Sequence, residues 1–216
     1  MTELHASIRN IPMPARIRSL GLTEQGWPRL FFATEIEGKL DLRMMDPLKH
    51  HMAIRQRRCW LCGGALGRHL AFVAGPMCVI TRTSSEPPSH YDCACYATQA
   101  CPFLTRPHMH RREAGLPEEA ETVGLAIMRN PGVTAIYVTR DYTTFKVGKG
   151  TLIRMGKPER VEWYAEKRPA TRVEIEESIT TGVPALWEAC EKDRDPPGAR
   201  HELTQRIEAV QELLPA

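Results

Sequence analysis

Along residues 29–45, RLFFATEIEGKLDLRMM, apolar and polar side chains change places at almost every step. Phe31, Ala33 and Glu35 fall on one side, Phe32, Thr34 and Ile36 on the other, and Leu40, Leu42 and Met44 resume the rhythm beyond EGK. A period of two suits a half-buried strand, so the stretch predicts a hairpin turning at EGK. DPLKHHMAIRQRR then changes to helical chemistry, with Asp46 as N-cap and Pro47 at the first helical position. HLAFVAGPMCVITR reads as a second hairpin turning at Gly75 and Pro76, which places Cys78 in a strand. In SSEPPSHYDCACYATQACPF, Ser89 and Asp92 have the spacing of a capping box, so a helix is expected to begin at Ser89 and to end at Pro102. The first 28 residues, interrupted by Pro12, Pro14, Gly21, Gly26 and Pro28, predict an irregular arm.

Beyond a basic linker at LTRPHMHRREAGLPEE the pattern changes again. LPEEAETVGLAIMRNPG predicts a helix stopped by Asn130, Pro131 and Gly132, followed by strands at VTAIYVTR, TTFKV and TLIRM, the last two joined across GKG. Helices are expected at PERVEWYAEK, at TRVEIEESIT with Thr171 and Glu174 as a capping box, at PALWEACEKD, and at RHELTQRIEAVQELL. In the last, Leu203, Ile207, Val210 and Leu214 repeat at helical spacing. There is no internal repeat. The fold class expected is α+β, with antiparallel strands and several helices.

Charge divides the chain. Residues 1–112 hold 15 Lys and Arg against 8 Asp and Glu, while residues 113–216 hold 14 against 18, within a net charge of +3. The sign change sets the expected domains at 1–112, basic, and 113–216, acidic, and points to a polyanion or acidic partner for the first. No apolar run reaches the roughly 18 to 20 residues of a membrane span, and the start lacks the apolar stretch of a signal peptide, so the expected location is the cytoplasm. In that reducing compartment seven cysteines, six of them between Cys59 and Cys101, read as metal ligands and buried thiols rather than a disulfide framework.

RRCWLCGGALGRH supplies the metal chemistry. Cys59 and Cys62 sit two residues apart before Gly63 and Gly64, the spacing of a zinc knuckle, in which two thiolates share one ion across a tight turn. A tetrahedral ion needs two further ligands, and His90 and Cys93, three residues apart at the expected helix start, supply them. Knuckle, hairpin and helix start, in that order, resemble a treble-clef zinc finger over residues 57–103. The other cysteines fit less well and are expected as buried thiols. Four protein ligands leave no open position, so the expected zinc is structural.

Enzyme signatures that use similar ligands are missing. An HNH nuclease needs a histidine base and an Asn between such pairs, whereas residues 63–89 hold only His69 and no Asn. The H-x-E and P-C-x-x-C pair of zinc nucleobase deaminases does not occur in that form or order. KVGKGT has Thr143 and Gly150 where a phosphate loop requires a glycine and a hydroxyl. Around the finger, Arg55, Arg57, Arg58, Arg106, Arg111 and Arg112 are candidates to meet phosphates, with Trp60 or Tyr96 to stack on a base; equally open is a solvated arginine surface with Trp60 filling the small core behind the knuckle. CPFLTRP and EWYAEKRPATRVEIEESITTGVPAL resemble segments of a group of uncharacterised bacterial and bacteriophage proteins, a resemblance that implies a phage-associated role without naming an activity. The expected function is a zinc-stabilised, non-enzymatic protein that contacts DNA, RNA or a nucleic-acid-handling complex. The alternatives are a protein-interaction factor, such as a phage-encoded inhibitor of a host complex, and, more remotely, a nuclease-like or other enzyme with an unrecognised site.

Overall fold

The computed structural model describes residues 2–36, 38–107, 109 and 130–216. A single 3-10 turn at Ala6–Ile8 and the short helix α1 (Ala15–Arg18) come first, followed by strands β1 (Ala33–Ile36) and β2 (Lys39–Met45), helix α2 (Pro47–Arg55), strand β3 (Leu70–Ala74), helix α3 (Pro76–Thr81) and strand β4 (Thr83–Ser84). Helices α4 (Tyr91–Ala100) and α5 (Pro102–Thr105) lead to strands β5 (Thr134–Thr139), β6 (Tyr142–Val147), β7 (Gly150–Met155), β8 (Arg160–Ala165) and β9 (Arg168–Pro169), and helices α6 (Arg172–Cys190) and α7 (Pro196–Gln211) end the chain. The protein is thus mixed α+β with antiparallel sheets: β1 pairs with β2, a four-stranded sheet runs β3-β5-β8-β9, and a three-stranded sheet runs β4-β7-β6. No helix among the described residues is long and apolar enough to cross a membrane.

Much of the local code is obeyed. Asp46 caps α2 by accepting from the Leu48 and Lys49 amides at 2.9 and 3.2 Å, and Pro47 opens the helix. The β1–β2 hairpin closes with Ile36 opposite Lys39, and β6 joins β7 with Val147 opposite Gly150. Gly148, at φ +55°, occupies the first of the two turn positions, which a II′ turn reserves for glycine. The GKG segment is therefore a hairpin turn. The helices expected at 171–180 and 184–193 are one helix, α6, which runs through Pro184.

Two predicted elements are wrong. The hairpin expected at Gly75–Pro76 does not form: Gly75 is an N-cap, Pro76 opens α3, and Cys78 is helical, because proline's fixed φ suits a first helical position as well as a turn. The helix expected at 158–167 is strand β8, placed against β5 by pairs such as Trp163 opposite Ala135 and Val161 opposite Tyr137. Glu166 and Lys167 both have positive φ (+48° and +69°) and turn the chain into β9. The helix expected at 116–132 falls almost wholly outside the described residues, as does the boundary at 112. Strands β3 and β4 lie before that boundary yet pair with β5 and β7 after it, so the basic and acidic stretches share sheets instead of folding apart.

One core gathers Leu70 and Phe72 of β3, Val79 and Ile80 of α3, Ala135 and Tyr137 of β5, Trp163 of β8, Ile175 and Leu186 of α6, and Leu203 and Val210 of α7. A second gathers Ile8, Met13 and Ile17 from the opening segment around Cys59, Leu61, Cys62, Cys93 and Tyr96. The expected arm is therefore packed wall. Gly26 binds it closely: at φ +79°, a Cβ there would stand 2.3 Å from the Glu3 carbonyl oxygen.

Helix α6 begins with the predicted capping box. The Glu174 amide donates to Thr171 Oγ1 at 3.3 Å, and the Thr171 amide donates to Glu174 Oε2 at 2.8 Å. Arg168 first, and the Thr171 amide second, hold the Glu174 carboxyl down at about 2. A carboxyl depressed in the folded state stabilises fully above its ordinary value of 4.5 and loses that contribution as pH falls toward 2. Glu174→Gln should cost about 1 kcal/mol at pH 7, a melting shift of about 2–4 °C, and thermal melts should show this gap closing as pH falls from 4.5.

Candidate metal centre

The cysteine pair sits in a loop that the backbone closes by itself. After α2 the chain turns at Arg57, φ +49°, and Arg58 bridges Ala65. The Cys59 amide donates to the Gly64 carbonyl at 2.7 Å and the Gly63 amide to the Cys59 carbonyl at 2.8 Å, folding residues 59–64 into a knuckle. Gly63 is required twice over. Its φ is +73°, and a Cβ would meet the Phe31 ring at 2.7 Å. Phe31 donates its amide to the Leu61 carbonyl and Trp60 to the Pro88 carbonyl, which ties the knuckle to β1 and to the approach of α4.

The second pair arrives differently from the expected route. Ser89 does not cap α4: its amide and carbonyl pair with Ala71 at 2.7 and 3.0 Å, extending the β3 edge, and Asp92 forms an ion pair with Arg16 at 3.3 Å. His90 is the N-cap, one position before the helix, and Cys93 lies within the first turn. The ligand atoms of Cys59, Cys62, His90 and Cys93 all lie within 4.8 Å of one another, so the four predicted residues form one group that can hold a metal ion. Sulfur and nitrogen ligands about 2.0–2.3 Å from a tetrahedral ion stand roughly 3.5–4 Å apart, and the cluster is close to that size.

The imidazole is already oriented. Its Nε2 lies 2.9 Å from the Ala65 carbonyl oxygen, which can only accept, so Nε2 carries the hydrogen and the Nδ1 lone pair faces Cys62 Sγ at 3.4 Å. Cys59 Sγ accepts from the Cys62 and His90 amides, both at 3.4 Å. The three sulfurs compete for charge. Hydrogen bonds from Cys62 and Cys93 pull the Cys59 thiol far below the ordinary range, while the neighbouring Cys59 pushes Cys62 and Cys93 up. Three sulfurs this crowded resist ionising together, a cost that a divalent cation would offset.

A cavity of about 500 Å³ lies between α3, α6 and α7, and none of its lining residues is a cluster ligand. Cys78 and Cys190 line that cavity, and burial pushes the Cys78 thiol up to about 11. Cys95 and Cys101 are likewise raised by burial, consistent with inert thiols.

The residues expected to meet phosphates have different surroundings. Arg55 and Arg106 are exposed, whereas Arg58 serves the knuckle by donating to the Gly63 carbonyl at 3.1 Å. Arg57 lies 5.7 Å from the Tyr142 ring centre, and Arg111 and Arg112 lie outside the described residues. Trp60 is 2% exposed, packed between Phe32 and His50, and Tyr96 is 4% exposed, so neither can stack on a base. The sequence reading missed a polar network beside the cluster. Tyr91 and Tyr164 both donate to Glu162 at 2.8 Å, Arg160 pairs with the same carboxylate at 2.8 Å, and its guanidinium lies 4.5 Å from the Tyr91 ring centre. Reading residues 160–165 as a strand, with Glu162 and Tyr164 on one face, would have exposed it.

No known protein family, curated protein or solved structure matches the chain. Replacing Cys59 or Cys93 by Ser should remove a ligand and leave the small core around it unsupported. Chemical denaturation should show a loss on the order of 5 kcal/mol or more, whereas Cys95→Ser, outside the cluster, should stay within about 1 kcal/mol.

Proposed function

We propose that Cys59, Cys62, His90 and Cys93 hold a structural zinc ion and that the protein is a non-enzymatic binding protein. The observation that carries the reading is the convergence of three sulfurs and one nitrogen within 4.8 Å. A sulfur-rich tetrahedral set suits zinc, and four protein ligands leave no position for water or substrate. Ligand pairs from a knuckle and a helix start follow the treble-clef order, here without a hairpin between them. Thiolate ligands also suit a reducing location such as the cytoplasm.

The partner proposed for the basic stretch is DNA, RNA or a complex that handles them. Arg55, Arg57 and Arg106 are exposed, and none forms an ion pair among the described residues, so their charge is available to phosphates. The face beside α4 is a poorer candidate: Arg16, Arg140 and Arg160 are each neutralised by Asp92, Glu159 and Glu162. Gel-shift titrations with short single- and double-stranded DNA and RNA test the reading. Binding should weaken steeply with salt, and the Arg55→Ala, Arg57→Ala, Arg106→Ala triple variant should weaken it at least tenfold and flatten the log–log salt slope by about 2 on single strands and about 3 on duplex. Absent binding at about 50 mM salt, or binding indifferent to salt, removes the nucleic-acid reading.

A further inference from the structure

Among the described residues, strand β6 is the last strand of its sheet, bonded to β7 on one side and to no strand on the other. The two-residue turn sets the ladder. Val147 opposite Gly150 is a hydrogen-bonded pair, as are Phe145 with Leu152 and Thr143 with Arg154, so the N–H and C=O groups of Thr144 and Lys146 point away from β7. Thr143, Thr144, Lys146 and Val147 are all exposed, and the Val147 side chain is among the few large apolar ones left at the surface. Sheets usually blunt such an edge with proline, a bulge, a very short strand or an edge lysine. β6 has six residues, no proline and an unbroken register, and Lys146 is its one charged residue.

Charge selects the occupant. Lys146 and Arg154 stand on opposite faces of the hairpin, and Lys149 lies in its turn. Lys146 donates to Thr151 Oγ1 at 2.8 Å, Arg154 lies 5.2 Å from the Phe145 ring centre, and none of the three cations forms an ion pair among the described residues. Asp141 is the one carboxylate within residues 141–155, and it sits at the base. A second copy of the chain, added edge to edge, would bring like charges together on both faces. An extended acidic segment would meet them with opposite charge while filling the free backbone positions. We infer that the outer edge of β6 is a docking site for an acidic peptide that adds as a further strand.

The probe is the peptide acetyl-Thr-Glu-Val-Asp-Val-Glu-Thr-amide, titrated into the full-length protein and followed by amide NMR. The expected result is salt-sensitive binding with shifts concentrated at residues 142–147. Methylating alternate peptide nitrogens should weaken binding at least about tenfold, because it removes the donors that a strand addition uses. Thr144→Pro should do the same, since proline on an outward-facing edge position removes the free N–H and leaves the ladder intact. Lys146→Glu, which keeps every backbone group, should also weaken binding and guards against a folding defect in the proline variant. No binding at about 1 mM peptide, equal binding by the methylated peptide, or equal binding by both variants overturns the inference. So does a dimer that Thr144→Pro dissolves, which would give the edge to a second copy, or shifts at β6 from dodecathymidylate alone, which would give it to nucleic acid.

Discussion

Three sulfurs and an imidazole nitrogen held within one small volume are the constraint around which the second core is arranged. Buried thiols this close cannot all ionise, and charge settles on Cys59 at the expense of Cys62 and Cys93. The surroundings are built to keep the four together regardless. The knuckle is closed by its own amides, Gly63 yields space to Phe31, and the Ala65 carbonyl fixes the ring of His90. The apolar layer around them comes largely from Ile8, Met13 and Ile17, so the opening segment and the cluster depend on each other.

The cluster is also joined to the rest of the molecule. Ser89 pairs with Ala71, Ala71 lies in β3, and β3 is bonded to β5 in the four-stranded sheet. The residue that precedes the histidine ligand is thus part of a sheet whose other strands come from beyond residue 130. A metal bound at the proposed site would anchor one corner of a shared core, which distinguishes the protein from fingers that fold as separate beads.

The four residues of the cluster are legible because their signal is local: two cysteines at knuckle spacing followed by glycines, and a His and Cys three residues apart near a helix start. Asp46–Pro47, Thr171–Glu174 and the turn at Gly148 were legible for the same reason, each being a short motif whose partners lie within a few residues. The errors came where distant chain decided. Ser89 and Asp92 had the right spacing for a capping box, yet Ala71 recruited the backbone of Ser89 and Arg16 the carboxylate of Asp92. Residues 160–165 became a strand because β5 offers them an edge, and Trp163 packs into the core that results. Gly75–Pro76 was ambiguous in principle, since the same pair serves a turn or a helix start. Trp60 shows the limit for function: an aromatic beside arginines suits either a stacking platform or the filling behind a knuckle, and the structure uses it as filling.

X-ray absorption at the zinc edge, with elemental analysis of the same sample, addresses the central claim most directly. One zinc per chain, with three sulfurs at about 2.3 Å and one nitrogen at about 2.0 Å, is the predicted result. Protein purified without chelators that is fully folded and holds no stoichiometric metal, or holds zinc through oxygen and nitrogen alone, would contradict it.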